Sequence, residues 1–182
     1  MLWRGFPKGA VSLMVNESGG ATDLWLRAAA PVTRAGQWVA WINDQESELT
    51  PWALRRHKAD MSKILCISPP GSDKRILWVM QELMSLCLFE SIACDLGSVR
   101  LKDHHVLKLK KLAMRYQTAI ILISHATAPR LSSFYSFILR FHKHRMTVLR
   151  ALHRPTPFSL ERRYLYADTL PQLAAGRRAL CG

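Results

Sequence analysis

Short apolar runs alternate with amphipathic stretches along most of the chain, and glycine or proline separates many of them. The runs are rich in β-branched and aliphatic side chains, which is typical of buried strands. They lie at 10–15, 38–42, 64–67, 90–94 and 118–124. Because stretches of helical spacing lie between the runs, and the last run is apolar at almost every position, the pattern predicts an α/β fold on a mostly parallel sheet.

Four of the stretches between these runs have the apolar spacing of helices. They are predicted at about 22–35, from Pro51 onward, from Ser72 and Asp73 onward, and at about 103–116. Gly36 is expected to end the first helix, since glycine readily adopts the left-handed conformation that follows a helix. Pro31 lies inside that helix, and its missing backbone donor is expected to kink or shorten it.

After Pro129 the pattern changes to that of strands added at the edge of the sheet. Two or three antiparallel strands are predicted, at 134–141, 146–153 and 160–166. We therefore expect one domain over 1–168, with helices on both faces of the sheet, and a loosely ordered tail over 169–182.

The composition is that of a globular domain. The 182 residues are 49% hydrophobic and 21% charged, and no apolar run approaches the length of a membrane span. The amino-terminal residues lack the apolar run of a signal peptide, so a cytoplasmic protein without membrane contact is expected. The four cysteines have no CxxC spacing and three lie in apolar runs, so buried free thiols are expected rather than zinc ligands or disulfides.

The net charge of +13 is confined to the second half of the chain. Residues 1–98 hold ten Lys/Arg and ten Asp/Glu, whereas residues 99–182 hold sixteen and three. This asymmetry favours a polyanion or an acidic protein surface as partner, and the alternative is a solvated face without a specific function. The candidate contacts to DNA phosphates or to a partner are Lys108, Lys110, Lys111, Arg140, Lys143, Arg145, Arg150, Arg154, Arg162 and Arg163.

Residues near the amino terminus resemble the RecA family of nucleotide-binding α/β proteins. The segment Gly5-Phe6-Pro7-Lys8-Gly9 is similar to the G-x-P-x-G sequence that precedes the family's phosphate loop. Residues 15–24 then take the place of G-P-E-S-S-G-K-T-T-L. The matching positions are Glu17, Ser18, Gly20, Thr22 and Leu24. The resemblance implies a RecA-like three-layer core, a mostly parallel sheet with antiparallel edge strands, and a nucleotide site at these positions.

Two departures from that loop bear on catalysis. Val15 stands where the family has its first glycine, and Ala21 stands where it has the lysine that neutralises phosphates. Asp23 would bring a negative charge toward a nucleotide. The site is therefore expected to be vestigial, with no ATP hydrolysis, no catalytic residue, and no bound cofactor or metal.

The resemblance continues in order along most of the chain. The strand 91–95 resembles the one that ends in the family's magnesium-assisting aspartate, here Asp95. Residues 121–125 take the place of the strand that ends in an asparagine-glutamine pair, replaced here by Ser124 and His125. Without the phosphate-loop lysine, Asp95 is expected to satisfy nearby backbone groups.

A small core of this kind with a vestigial phosphate loop resembles the ImuA and SulA group of bacterial SOS-response proteins. The pair Leu77-Trp78, followed by Gln81-Glu82-Leu83, is similar to a segment common in ImuA. ImuA is associated with an error-prone translesion polymerase assembly, and SulA binds the division GTPase FtsZ. The resemblance implies a non-catalytic accessory protein whose partners are polymerase-assembly proteins, RecA or DNA. The alternatives are a SulA-type division inhibitor with an exposed apolar patch for FtsZ, and a sequence-independent nucleic-acid-binding module.

Two other groups of side chains have less support as chemical sites. Ser18 and His125 would approach each other at neighbouring strand ends, but nothing in the spacing indicates a nucleophile with its base. Lys143 stands between His142 and His144 and opposes a bound cation, so this cluster is expected to be a surface patch. All six tryptophans precede the basic half, and this order does not favour bases stacked between the charges.

Overall fold

The computed structural model describes residues 2–3, 6–43, 49–69, 73–97, 99–126, 131–142, 145–151 and 158–161. Two short strands, β1 (Leu2–Trp3) and β2 (Phe6–Pro7), pair in a small antiparallel ribbon. The strands of the main sheet are β3 (Val11–Asn16), β4 (Trp38–Ile42), β5 (Ile64–Ile67), β6 (Phe89–Asp95), β7 (Ala119–Ser124), β8 (Phe137–His142), β9 (Arg145–Arg150) and β10 (Phe158–Glu161). The helices are α1 (Ala21–Arg34), α2 (Pro51–Arg56), α3 (Asp73–Ser85) and α4 (Asp103–Tyr116), and a 3-10 turn covers Met61–Lys63.

The main sheet has the strand order β5-β4-β6-β7-β3-β8-β9-β10. All neighbours from β5 to β8 are parallel, and the β8–β9 and β9–β10 pairs are antiparallel. The predicted α/β fold, with a mostly parallel sheet and an antiparallel edge, is confirmed. One detail was wrong, because β8 lies parallel to β3 and is antiparallel only to β9.

Helices cover both faces of this sheet, as predicted. On one face, α1 and α2 pack on side chains such as Met14, Trp41 and Ile121, and the indole rings of Trp25 and Trp41 lie 4.8 Å apart. On the other face, α3 and α4 pack on a second cluster that includes Val15 and Leu122. We call these the α1 face and the α4 face. The sheet is apolar on both sides because its strands are buried between two layers.

The first helix runs through Pro31 to Arg34, so the prediction of a shortened helix was wrong. Pro31 lies in the last turn, where the loss of one backbone donor removes only one bond of the helical ladder. The predicted stop at Gly36 is confirmed: Gly36 has φ +79°, and its amide donates to the carbonyl of Thr33.

The prediction that the cysteines are buried holds for Cys94 but is wrong for two others. Cys66 is exposed because it lies in β5, the strand at one edge of the sheet. Cys87 is exposed in the turn after α3, where its φ is +52°. Cys181 and the predicted tail 169–182 lie outside the described residues. No described helix is both long and apolar enough to cross a membrane.

Candidate functional site

The carboxyl ends of β6, β7 and β3 lie side by side and form a candidate ligand site. The chain leaves β3 toward the α1 face and leaves β6 toward the α4 face. Crevices at such a divergence of connections are where open α/β sheets bind ligands. The residues expected to form a vestigial nucleotide site lie at this edge.

The turn between β3 and α1 does not have the shape of a phosphate loop. Val15, at the place of the first glycine, is fully buried in β3 and pairs with Ser124 on one side and Arg140 on the other. The side-chain oxygen of Asn16 accepts from the backbone N–H of Ala21 at 3.4 Å, at the start of α1. Helix amino termini bind phosphate in nucleotide-binding proteins through their free backbone N–H groups. Here the Asn16 carboxamide accepts one of these N–H groups instead.

The other matched residues lie in or next to this turn. Ser18 is exposed, and Gly20 has φ +106°, a conformation that favours glycine just before the helix. Thr22 is half-buried in the first turn of α1. The carboxylate of Asp23 lies 2.6 Å from Nε2 of His57, the residue that follows α2. This contact holds α2 against the first turn of α1.

The carboxylate of Glu17 is held by two residues of β8. Nδ1 of His142 lies 2.8 Å from one oxygen, and Nε of Arg140 forms an ion pair with the other at 3.5 Å. The amide of Glu17 also donates to the carbonyl of Phe141 at 3.1 Å. Arg140 was predicted as a nucleic-acid contact, but the structure shows it paired with this carboxylate at the sheet edge. The reason is that β8 lies directly beside β3, which the order of residues did not indicate.

Asp95 and His125 form a second side-chain pair at the same edge. Asp95 is 2% exposed, and Nε2 of His125 lies 3.0 and 3.1 Å from its two oxygens. The amide of Gly97 donates to the same carboxylate at 3.1 Å, so Asp95 satisfies a nearby backbone group as predicted. The hydroxyl of Ser124 accepts from the amide of Ala126 at 3.3 Å. In the described part of the chain, no group of three His, Cys, Asp or Glu side chains is placed to hold a metal ion.

The structure disperses the predicted basic contacts. Lys108 and Lys111 are exposed on α4, whereas Lys110 is half-buried on another side of that helix. Arg145 is exposed on β9. Arg150 is half-buried and donates to the backbone carbonyls of residues 132 and 135, which makes it a support for that segment. Four predicted contacts lie outside the described residues: Lys143, Arg154, Arg162 and Arg163.

A row of basic side chains lies on the solvent side of α4. His104, Lys108, Lys111 and Arg115 are exposed and follow one another at intervals of four, three and four residues. This spacing places them on one side of a helix over about 16 Å. We call this row the α4 stripe. Within the described ranges, Lys108, Lys111 and Arg115 form no ion pair, while the guanidinium of Arg115 lies 5.4 Å from the ring centre of Tyr116.

A buried tyrosine lies near the start of the same helix. Tyr135 is 4% exposed, and its burial, together with the charge of Asp103, raises the pKa of the phenol to about 12. The ring packs in the core of the α4 face. It therefore helps to hold residues 131–136, which precede β8, against the α4 face.

At the sheet edge, Glu17 and Asp95 are engaged by histidine and arginine side chains. The solvent side of α4 instead presents a row of exposed basic side chains. No model of a known protein family matches the chain. A search of curated proteins also finds no match.

Proposed function

We propose that this protein is a non-catalytic, RecA-like accessory protein of the bacterial DNA-damage response. It is similar to ImuA and acts in the cytoplasm in support of error-prone translesion DNA synthesis. Its partners are polymerase-assembly proteins or RecA, together with the DNA phosphate backbone. The observation that carries the proposal is the α4 stripe, a row of exposed basic side chains. At the carboxyl edge of the sheet, by contrast, the polar groups contact one another.

Three contacts at the sheet edge support a role without nucleotide turnover. Asn16 accepts the amide at the start of α1, Glu17 is held by His142, and Asp95 is held by His125. Each contact uses a group that would otherwise face a phosphate or a metal ion in a phosphate-loop protein. A nucleotide would have to displace them without a lysine at position 21 to offset the cost.

The α4 stripe has the chemistry of a phosphate contact. Among the residues that the structure describes, Lys108, Lys111 and Arg115 form no ion pair, and lysine binds phosphate as a point charge. Such contacts are independent of base sequence, and their strength falls steeply with salt because bound counterions are released. Lysine is depleted in the cores of protein interfaces, which also favours a nucleic acid at this surface.

The decisive experiment removes two charges from either face of the protein. The variant K108A/K111A is compared with R55A/R56A, since Arg55 and Arg56 are exposed on α2 and their removal changes the net charge equally. Binding of fluorescent DNA is followed by anisotropy at several salt concentrations. We expect K108A/K111A to weaken binding and to flatten the plot of log affinity against log salt by about 2, about one for each lost phosphate contact. R55A/R56A should stay close to the parent protein.

Two results would contradict the proposal. Equal losses in the two double variants would mean that net charge, and not α4, governs binding. Hydrolysis of ATP by the purified protein, abolished in D95A, would mean that the sheet edge is a working active site.

A second candidate function is a SulA-type division inhibitor, and exposed apolar side chains on the α1 face favour it. Trp52 is 76% exposed on α2, and Met61 is 47% exposed in the following 3-10 turn. Exposed tryptophan and methionine are typical of protein-binding surfaces. This function predicts loss of pelletable FtsZ polymer on addition of the protein, and W52A should abolish that loss while K108A/K111A leaves it intact.

A further inference from the structure

A second exposed tryptophan lies on α3, the helix that packs against α4. Trp78 is 60% exposed on α3, and α3 packs against α4. Along the sequence every tryptophan precedes the basic half, which had argued against bases stacked among the charges. The packing of these two helices brings together an aromatic ring and a basic helix that the order of residues separates.

Trp78 and Lys108 occupy equivalent positions along two helices that run in the same direction. Each begins after the carboxyl end of a parallel strand and returns to the amino end of the next, so α3 and α4 run in the same direction. Trp78 and Lys108 each lie five residues after the first residue of their helix. That offset corresponds to a rise of about 7.5 Å in both helices. Packed helices have axes about 8–10 Å apart, which is within the reach of one nucleotide from base to phosphate.

We propose that the polyanion bound by this surface is single-stranded nucleic acid, with one base stacked on Trp78 and the phosphates on the α4 stripe. This inference rests on the proposed function and adds the substrate class. A base has a π-face that an exposed indole can cover whatever the sequence, whereas in a duplex that face is already stacked. The surface therefore fits a strand whose bases are free.

The charges around Trp78 also orient the strand. On α3 the exposed Arg75 and Glu82 lie about one turn before and one turn after Trp78, and their opposite charges offset each other. On the neighbouring helix, Lys108 and Lys111 attract phosphates. The phosphate backbone should accordingly follow α4, and the bases should turn toward α3.

Intrinsic fluorescence of single variants isolates the signal of this tryptophan. Trp25 and Trp41 are buried, Trp38 is half-buried in β4, and Trp52 is exposed on the α1 face, so the comparison of W78A with the parent protein and W52A reports on Trp78. We expect an unlabelled single-stranded oligonucleotide to quench the fluorescence of the parent protein and of W52A, and to leave that of W78A nearly unchanged. Trp78 is largely exposed, so W78A should fold, and thermal unfolding checks this.

Affinity supplies the second readout. W78A should bind single-stranded DNA about fivefold to 150-fold more weakly, since stacking of one base is worth about 1–3 kcal/mol. W78F should recover much of that loss because it keeps an aromatic face, and W52A should bind like the parent. Duplex binding by W78A should change much less than single-strand binding.

The outcomes distinguish this inference from the proposed function. Unchanged single-strand affinity in W78A, alongside the loss in K108A/K111A, would overturn the stacking and leave the DNA-binding function standing. Equal weakening of single-strand and duplex binding in W78A would overturn the single-strand preference. Poly-glutamate tests whether the surface binds an acidic protein instead. If poly-glutamate displaces DNA, and W78A weakens the binding of poly-glutamate as much as that of DNA, the surface would be assigned to an acidic protein. Absence of DNA binding by the parent protein at low salt would overturn both proposals.

Discussion

Val15 offers the sharpest test of why the β3–α1 turn is not a phosphate loop. It is fully buried in β3 and pairs with strands on both sides, so the strand continues through the position of the family's first glycine. Replacing Val15 by Ala removes two buried methyl groups, worth about 1.6 kcal/mol at about 0.8 kcal/mol each, and a small cavity adds to this. Replacing it by Gly removes a third carbon and should bring the loss to about 3 kcal/mol, including about 0.5–1 kcal/mol for the flexible backbone.

Urea unfolding measures both losses. We expect the midpoint to fall from the parent to V15A and again to V15G, with the slope unchanged. In thermal unfolding, about 3 kcal/mol corresponds to a decrease of about 6–12 °C in Tm for a domain of this size. Magnesium and ATP should raise the Tm of neither variant, because Asn16 still holds the amide of Ala21.

The opposite ranking would refute the reasoning. If glycine at position 15 allows the turn to relax into a phosphate loop, V15G would be as stable as V15A or more stable. A rise in the Tm of V15G with ATP would be the second sign, since a ligand that binds only the folded state stabilises it. Together these results would show that one side chain, and not the continued strand pairing, closes the site.

Three further predictions concern the groups around the site. Burial raises the pKa of the Tyr135 phenol to about 12 in the folded protein, whereas the unfolded value is near 10. The free energy of unfolding should therefore be constant with respect to this group below pH 10 and should fall by about 1.4 kcal/mol per pH unit between pH 10 and 12. Urea unfolding over that pH range should show this decrease in the parent protein and not in Y135F. Removal of His125 leaves the buried carboxylate of Asp95 without its imidazole partner, so H125A should lower the free energy of unfolding by about 1–3 kcal/mol. A double-mutant cycle with D95A should give a coupling energy of at least about 0.5 kcal/mol, and additive losses of stability would contradict the pairing. Arg150 holds two backbone carbonyls, so R150A should lower the urea midpoint more than R145A, whose side chain is exposed.

Most elements could be predicted from the sequence because their signals are local. The strands 38–42 and 64–67 and the helix 103–116 agree with the structure, since each is a periodic run bounded by turn residues. The direction of β8 could not be predicted, because it depends on which strand lies beside β8 in the sheet, and β3 is far away in sequence. The exposure of Cys66 likewise depends on β5 being an edge strand, which apolar neighbours in sequence do not indicate.

The candidate site was predictable only in part. The resemblance to the RecA family placed Asp95 at the end of a strand, and the structure brings that strand end to the carboxyl edge of the parallel sheet. The contact of His142 with Glu17 joins distant parts of the chain and has no sequence signal. The same holds for Trp78 beside α4, because helix packing depends on the strand order.

The pairing of β3 has a consequence for how the chain folds. Val11 pairs with Ile120 of β7, and Ser12 pairs with Phe137 of β8, so the first strand of the main sheet finds both neighbours in the basic half. Long-range parallel pairing of this kind is slow, because a large loop must close before any contact forms. During synthesis β3 therefore emerges well before its partners and stays unpaired until β7 has been made. The electrically neutral and basic halves are consequently one cooperative folding unit, and a fragment that ends before Ala119 should expose β3 and aggregate.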